Sequence, residues 1–233
     1  MAAASKGQVK IAVPDAGEVS AMWSRPENAR WLLVLAHGAG AGMRHPFLEK
    51  LTAELAGVGI ATFRYQFPYM EQRRRVPDTP PLLKSTVRAA VRAARETAPD
   101  LPILAGGKSM GGRMTSQAAS EHPPQLENVR GLVFFGFPLH PPGRPGTQRA
   151  EHLAQCNMPM LFLQGTRDQF ADLNLLRPIC LKLGALANLH VIETADHSFH
   201  VLKSSHKTDG DIIRELAQTV YVWTESISQS GTA

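Results

Sequence analysis

The reading of the fold turns on Ile103-Leu104-Ala105-Gly106-Gly107-Lys108-Ser109-Met110-Gly111-Gly112. An apolar strand over Pro102–Ala105 runs into a glycine-flanked serine, and a helical segment is expected over Met110–Glu121. Within it lies Gly107-x-Ser109-x-Gly111. Such a strand-to-helix turn is sharp, so Ser109 must sit at its tip in a strained backbone conformation. Glycines two residues to either side let strand and helix approach without a Cβ clash. The turn lifts the hydroxyl out of the sheet and aims the helix's amide end at it. The competing reading is a glycine-rich anion-binding turn. The phosphate-loop spacing G-x-x-x-x-G-K-[ST] fails, because the position five before Gly107 is Pro102.

Working outward, Trp31-Leu32-Leu33-Val34-Leu35-Ala36 is a continuous apolar run. A run of this kind reads as a strand buried on both faces, which requires helices above and below the sheet. A helix is expected over Pro46–Ala56, with Phe47, Leu48, Leu51 and Leu55 at helical spacing. The alternation then repeats: strand Ile60–Tyr65, a long loop Gln66–Pro81, helix Leu82–Glu96, strand Gly131–Phe135, and a short helix Gln148–Ala154. Strand Met160–Leu163, helix Leu173–Lys182, strand Leu189–Ile192 and a closing helix Asp209–Ser226 complete it. A hairpin, Val9–Val13 and Glu18–Trp23 about Pro14-Asp15-Ala16-Gly17, comes first. The pattern predicts an α/β fold with a mainly parallel, twisted sheet and helices on both faces. No composition break or large insertion divides it. One domain over residues 1–227 without a cap is expected, followed by a flexible polar tail over 228–233.

The chain has 233 residues, 43% of them hydrophobic and 19% charged, which is a globular composition. Cys156 and Cys180 match no zinc spacing and no disulfide framework. There is no apolar run of 18 residues, and Met1–Gly7 lacks the apolar stretch of a signal peptide, so neither a membrane span nor secretion is expected and a cytoplasmic location is. The net charge of +5, from 25 Lys and Arg against 20 Asp and Glu, is small, and Arg73-Arg74-Arg75 supplies three of the positive charges. With 6% aromatics, a base-stacking nucleic-acid platform is not expected.

In sheets of this kind the reactive groups gather at the carboxyl ends of the strands. A serine hydroxyl needs a base, and the base needs an orienting carboxylate. In this topology the order along the chain is serine, acid, histidine. Asp168 follows strand Met160–Leu163 and His197 follows strand Leu189–Ile192, which makes Ser109, Asp168 and His197 the candidate catalytic set. Asp172 and Asp196 are the alternative acids. His37 precedes the serine and fits a loop-holding role better, and His200 reads as an exposed neighbour of the base. For the oxyanion, the N–H of Met110 is one candidate donor. The strip His37-Gly38-Ala39-Gly40 offers the other, Ala39 first and Gly40 next.

These residues carry a family likeness. The chain resembles the α/β-hydrolase superfamily, and within it a small lidless branch related to dienelactone hydrolases that also includes testis-expressed and chromatin-complex proteins. The segments that carry the resemblance are HGAGAGMRHPFL, FRYQFPYME, GGKSMGGRM, FPLHPPGRP, LFLQGTRDQF and ADHSF, spanning roughly residues 34–199. The resemblance implies a Ser109–Asp168–His197 triad. Dienelactone hydrolases proper use cysteine as nucleophile, so their substrate is not transferred.

Without a cap, the site is expected to be open, taking a small-molecule acyl substrate with no cofactor and no metal. Candidate lining residues are Gly38, Gly40, Lys108, Phe67, Tyr69, Phe137 and His140. Lys108, Arg64, Arg73, Arg74, Arg75, Arg144 and Arg167 lie in or beside strand-end loops. They are compatible with a substrate bearing a carboxylate or phosphate, and for Arg73–Arg75 solvated loop charge is an equal reading. The expected function is a serine hydrolase of ester-type bonds. A non-catalytic interaction module and an acyltransferase using the same triad are the alternatives. Oligomeric state is not legible.

Overall fold

The computed structural model describes residues 5–229. Eight strands form one sheet: β1 (Ser5–Val13), β2 (Gly17–Arg25), β3 (Trp31–Ala36), β4 (Ile60–Tyr65), β5 (Ile103–Lys108), β6 (Val129–Phe135), β7 (Met160–Gly165) and β8 (Ala187–Ile192). Their spatial order is β1-β2-β4-β3-β5-β6-β7-β8. The β1–β2 hairpin is antiparallel and joins β4 antiparallel, and every other pairing is parallel. The hairpin closes through Asp15 and Gly17, both at positive φ, as a tight turn between twisted strands requires.

The all-apolar strands are buried on both sides, as their composition demands. In β3, Leu32, Val34 and Ala36 face one hydrophobic layer, and Trp31, Leu33 and Leu35 face the other. The same alternation splits β6, with Leu132 and Phe134 on the first side and Val133 and Phe135 on the second. Helices α3 (Pro80–Thr97), α4 (Met110–Ala119) and α5 (Leu173–Leu183) cover the first layer. Helices α1 (Pro46–Gly57) and α6 (Asp209–Gln229) cover the second. On α1 the buried residues include Leu48, Leu51 and Leu55, at 3.6-residue spacing. Burial of each such leucine contributes about 1.5–3 kcal/mol. The sheet is mainly parallel with helices on both faces, as expected, and among the described residues it carries no separate cap.

The differences from the sequence reading are local. The Gln66–Pro81 loop contains one helical turn, α2 (Pro68–Glu71), and α3 begins at Pro80. Pro80 and Pro81 fit there because the first helical turn needs no N–H donors. The short helix over 148–155 is 3₁₀. At the other end α6 runs on to Gln229, and Ser228 bonds back to the Thr224 carbonyl at 2.8 Å. Of the expected tail 228–233, the first two residues are therefore helical, and 230–233 lie outside the described residues. Cys156 and Cys180 are buried free thiols.

Candidate active site

Ser109 stands between the last residue of β5 and the first of α4, at φ 52° and ψ −119°. This is a conformation that L-residues rarely adopt. The two motif glycines have a steric reason. A Cβ on Gly107 would lie 2.5 Å from the Ala36 carbonyl oxygen, and one on Gly111 2.6 Å from that of His37. Close approach of α4, β5 and β3 therefore excludes any side chain at either position.

His197 and Asp168 arrive from the loops after β8 and β7. The two loops are laced together: Thr166 N–H donates to the Ile192 carbonyl, Arg167 N–H to that of Ala195, and Thr194 N–H to the Thr166 hydroxyl. The result is a continuous hydrogen-bond chain. His197 Nε2 is 2.8 Å from Ser109 Oγ, and His197 Nδ1 is 2.7 Å from Asp168 Oδ2. The carboxylate can only accept, so Nδ1 carries the proton and Nε2 is free to take one from the hydroxyl. Asp168 is nearly inaccessible, with a side-chain exposure of 1%. Its Oδ1 accepts from Phe170 N–H at 2.8 Å and its Oδ2 from the Gln164 amide as well. Burial holds the His197 imidazole below its ordinary pKa. The Asp168 hydrogen bond works in the opposite direction without cancelling it, and the Lys108 charge adds to the lowering. The imidazole is therefore neutral at pH 7, the form that can accept a proton.

The alternative acids are occupied elsewhere. Asp172 caps α5 by accepting from Asn174 N–H, and Asp196 Oδ1 accepts from the N–H groups of Ser198 and His200, shaping the His197 loop. His200 pairs with Asp209. His37 is fully buried. Its Nε2 accepts from Phe67 N–H at 3.0 Å, so Nδ1 carries the proton and donates to the Gly38 carbonyl at 2.9 Å. It thereby fixes the Gly38–Gly40 strip to the end of β4. That strip packs on the elbow, since a Cβ on Gly38 would lie 3.6 Å from Ser109 Cβ. Among the described residues, the N–H groups of Ala39 and Met110 donate to no protein acceptor.

Beside Ser109 lies a cavity of about 250 Å³. Gly38, Ala39 and Ala41 form one wall, His45, Phe47 and Leu48 from the start of α1 another, and Phe170 and Ser198 close it beside His197 and Lys108. Phe47 stacks on Phe199 at 5.6 Å, and Phe170 lies against the His197 ring at 4.3 Å. Ala41, His45, Phe47, Leu48, Phe170 and Ser198 were missed as lining residues. Phe47 and Leu48 read from their spacing as helix core. Phe170 carried a usable signal, two residues past the candidate acid.

Five expected lining residues do not line the cavity. Phe67 and Tyr69 are buried in an aromatic cluster with Tyr65 and His37, behind the strip. Phe137 packs on Phe134 and Phe162 in the core. His140 is buried, with Nε2 accepting from Asp172 N–H and its own main-chain N–H donating to the Phe170 carbonyl, so it braces the loop that carries Phe170. Gly40, the last residue of the strip, does not line the cavity. Lys108 borders the cavity, yet its ammonium is engaged by the His197 carbonyl oxygen at 2.6 Å. Of the other cations singled out, Arg64 is buried and donates to the Met43 carbonyl, Arg74 pairs with Asp78, and Arg167 donates to the Thr194 carbonyl. Among the described residues no cluster of three or more His, Cys, Asp or Glu is arranged to hold a metal ion, and no helix is long and apolar enough to cross a membrane.

The family model for the alpha/beta hydrolase domain matches residues 29–225. The chain belongs to that family. Among solved structures, this α/β hydrolase is similar to a dienelactone hydrolase from Anabaena variabilis, with a TM-score of 0.73 and 21% identity over 96% of this chain and 98% of that one. It is also similar to an α/β serine hydrolase without a lid from Xanthomonas campestris, with a TM-score of 0.72 and 18% identity over 94% of each chain. A cold-adapted esterase from an Arctic intertidal metagenomic library matches with a TM-score of 0.62 and 19% identity, over 92% of this chain and 94% of that one. At these identities the likeness is one of fold.

Proposed function

We propose that this α/β hydrolase is a serine hydrolase that cleaves ester-type bonds (carboxylic ester, thioester or lactone) through an acyl-enzyme on Ser109. The observation that carries the reading is the unbroken chain Asp168 Oδ2–His197 Nδ1 and His197 Nε2–Ser109 Oγ, at 2.7 and 2.8 Å. His197 takes the Ser109 proton as the hydroxyl oxygen attacks the carbonyl carbon. Asp168 holds the tautomer and stabilises the imidazolium that forms. The developing oxyanion is received by the N–H groups of Met110 and Ala39; Met110, as the first residue of α4, has no intrahelical acceptor for its amide. His197 then returns the proton to the leaving alcohol or thiol. Water, deprotonated by the same imidazole, releases the acid and restores Ser109.

The apolar lining from Ala41, Phe47, Leu48 and Phe170 suits a small acyl group. The presence of a dienelactone hydrolase and an esterase among the fold relatives is compatible with that substrate class. A panel of p-nitrophenyl esters of increasing acyl length, with acyl-coenzyme A and lactone arms, tests the reading. Turnover that disappears in Ser109→Ala supports it. A folded wild-type protein that turns over no member of the panel counts against it and favours the interaction module. Ester or amide products formed from added alcohols or amines at the expense of free acid would favour the acyltransferase.

A further inference from the structure

Lys108, the residue immediately before the nucleophile, is not accounted for by the relay. Its Nζ donates to the main-chain carbonyl oxygen of His197 at 2.6 Å, across 89 residues of sequence, and lies 5.4 Å from the centre of the Phe199 ring. Gly136, at φ +70° beyond the end of β6, leaves the space for this arrangement. A Cβ there would fall 3.0 Å from Lys108 Nζ and 3.4 Å from both Asp168 Oδ2 and His197 Nδ1. Ammonium, carboxylate and imidazole thus surround one point, and the ammonium is tied to the backbone of the residue whose ring must meet Ser109.

We propose that Lys108 is a positioning residue for His197: its ammonium clamps the His197 main chain to the nucleophile elbow and, as the fixed cation beside the Asp168–His197 pair, keeps the imidazole in the neutral form that can accept the Ser109 proton. This rests on the hydrolase reading above and assigns Lys108 a role distinct from substrate binding. The charged groups facing His197 are Asp168 from the β7 loop, Asp196 from its own loop and Lys108 from β5; those facing Lys108 are Asp168 and Asp196. Two carboxylates favour a proton on the ring and Lys108 opposes them. Removing the ammonium leaves the carboxylates unopposed, so His197 should bind its proton more tightly and be lost as a base at higher pH. Burial brings Lys108 itself down to about 8, so it is charged at neutral pH, where the clamp is needed.

The test is the titration of the His197 ring by NMR, assigned by its loss in His197→Gln, together with pH profiles of kcat/KM for a neutral ester. In Lys108→Met the His197 midpoint should rise by about one pH unit. The acid limb of kcat/KM should rise with it, and kcat should fall about tenfold with KM within about twofold of wild type. Lys108→Arg, which restores a cation and a donor, should bring the midpoint back toward the wild-type value. If methionine is not tolerated, Lys108→Gln removes the charge and should give the same upward move. A His197 midpoint unchanged in the uncharged variants would overturn the proposal. So would a rise in KM confined to anionic esters with the midpoint unmoved, since that places the ammonium on substrate. If the wild-type protein hydrolyses nothing, the proposed function fails, while the ring titration still decides the role of Lys108.

Discussion

Gln164 and Asp168 are joined by a buried hydrogen bond from the Gln164 amide to Asp168 Oδ2, the same oxygen that accepts from His197 Nδ1. The other end of the Gln164 side chain accepts from Phe137 N–H at 2.9 Å, so this fully buried amide ties the acid to the end of β6. Replacing it by leucine of similar size leaves the Phe137 N–H unsatisfied and frees the carboxylate to rotate. Gln164→Leu should cost about 1–3 kcal/mol of stability, read by urea unfolding. It should also lower kcat with little change in KM. Wild-type stability and kcat in this variant would show that the amide positions nothing.

Asp168→Asn keeps the shape of the acid and reverses its hydrogen bond. The amide can present a donor to Nδ1, which forces the ring proton onto Nε2 and points a donor at the Ser109 hydroxyl. A loss in kcat approaching 10⁴-fold, on the order seen when a triad ring is held in the wrong tautomer, is expected, with the circular dichroism spectrum retained. A loss of less than about tenfold would mean that Asp168 does not set the tautomer.

The positive φ of Ser109 stores strain that glycine would not feel. Ser109→Gly should therefore be more stable than Ser109→Ala by about 1 kcal/mol, although both lose activity. Thermal unfolding of the two variants side by side reads the difference. Equal midpoints would indicate an unstrained elbow. Gly107→Ala and Gly111→Ala should behave in the opposite sense and destabilise severely, because each added Cβ runs into backbone oxygens.

Burial holds His37 at about 4 and His152 also at about 4. Both are below the ordinary value of 6.5, so the unfolded chain binds protons between pH 6.5 and 4 that the folded chain refuses. Stability is thus fully present above about pH 6.5 and falls as pH drops through this window. The slope is about 1.4 kcal/mol per pH unit for each histidine. Urea unfolding at about pH 7 and about pH 4.5 should register the fall. His37→Gln, which can keep an acceptor for Phe67 N–H and a donor for the Gly38 carbonyl, should make the fall smaller by the share His37 contributes. Stability unchanged over this range would contradict the neutral, buried assignment of His37.

Much of the architecture was legible because strands buried on both faces announce themselves: β3 and β4 matched their expected limits residue for residue. The positions of Ser109, Asp168 and His197 at strand ends followed from the same alternation, since each stands in the loop that an apolar run feeds. The cavity walls were legible only in part: Gly38 and Lys108 line it as expected. Phe47 and Leu48 share one helical turn, and spacing alone does not reveal that Phe47 reaches the cavity while Leu51 and Leu55 enter the core. Phe67, Tyr69 and Phe137 read as rim residues because they lie in loops. Those loops fold back, and burying three large rings outweighs leaving them in water. His140 went the same way, turned into a buried stitch by two main-chain partners, whereas His37 holds its loop as its place before the serine suggested. The occupied ammonium of Lys108 was invisible too, because its acceptor is a backbone oxygen 89 residues away.

The most direct test of the proton relay is the intact mass of the protein after treatment with a fluorophosphonate, which reacts with a serine only where a neighbouring base has activated it. One adduct per chain is expected, mapped to Ser109, absent in Ser109→Ala and formed at least about 100-fold more slowly in His197→Gln. Folded wild-type protein that stays unmodified, or an adduct that persists in Ser109→Ala, would contradict the account.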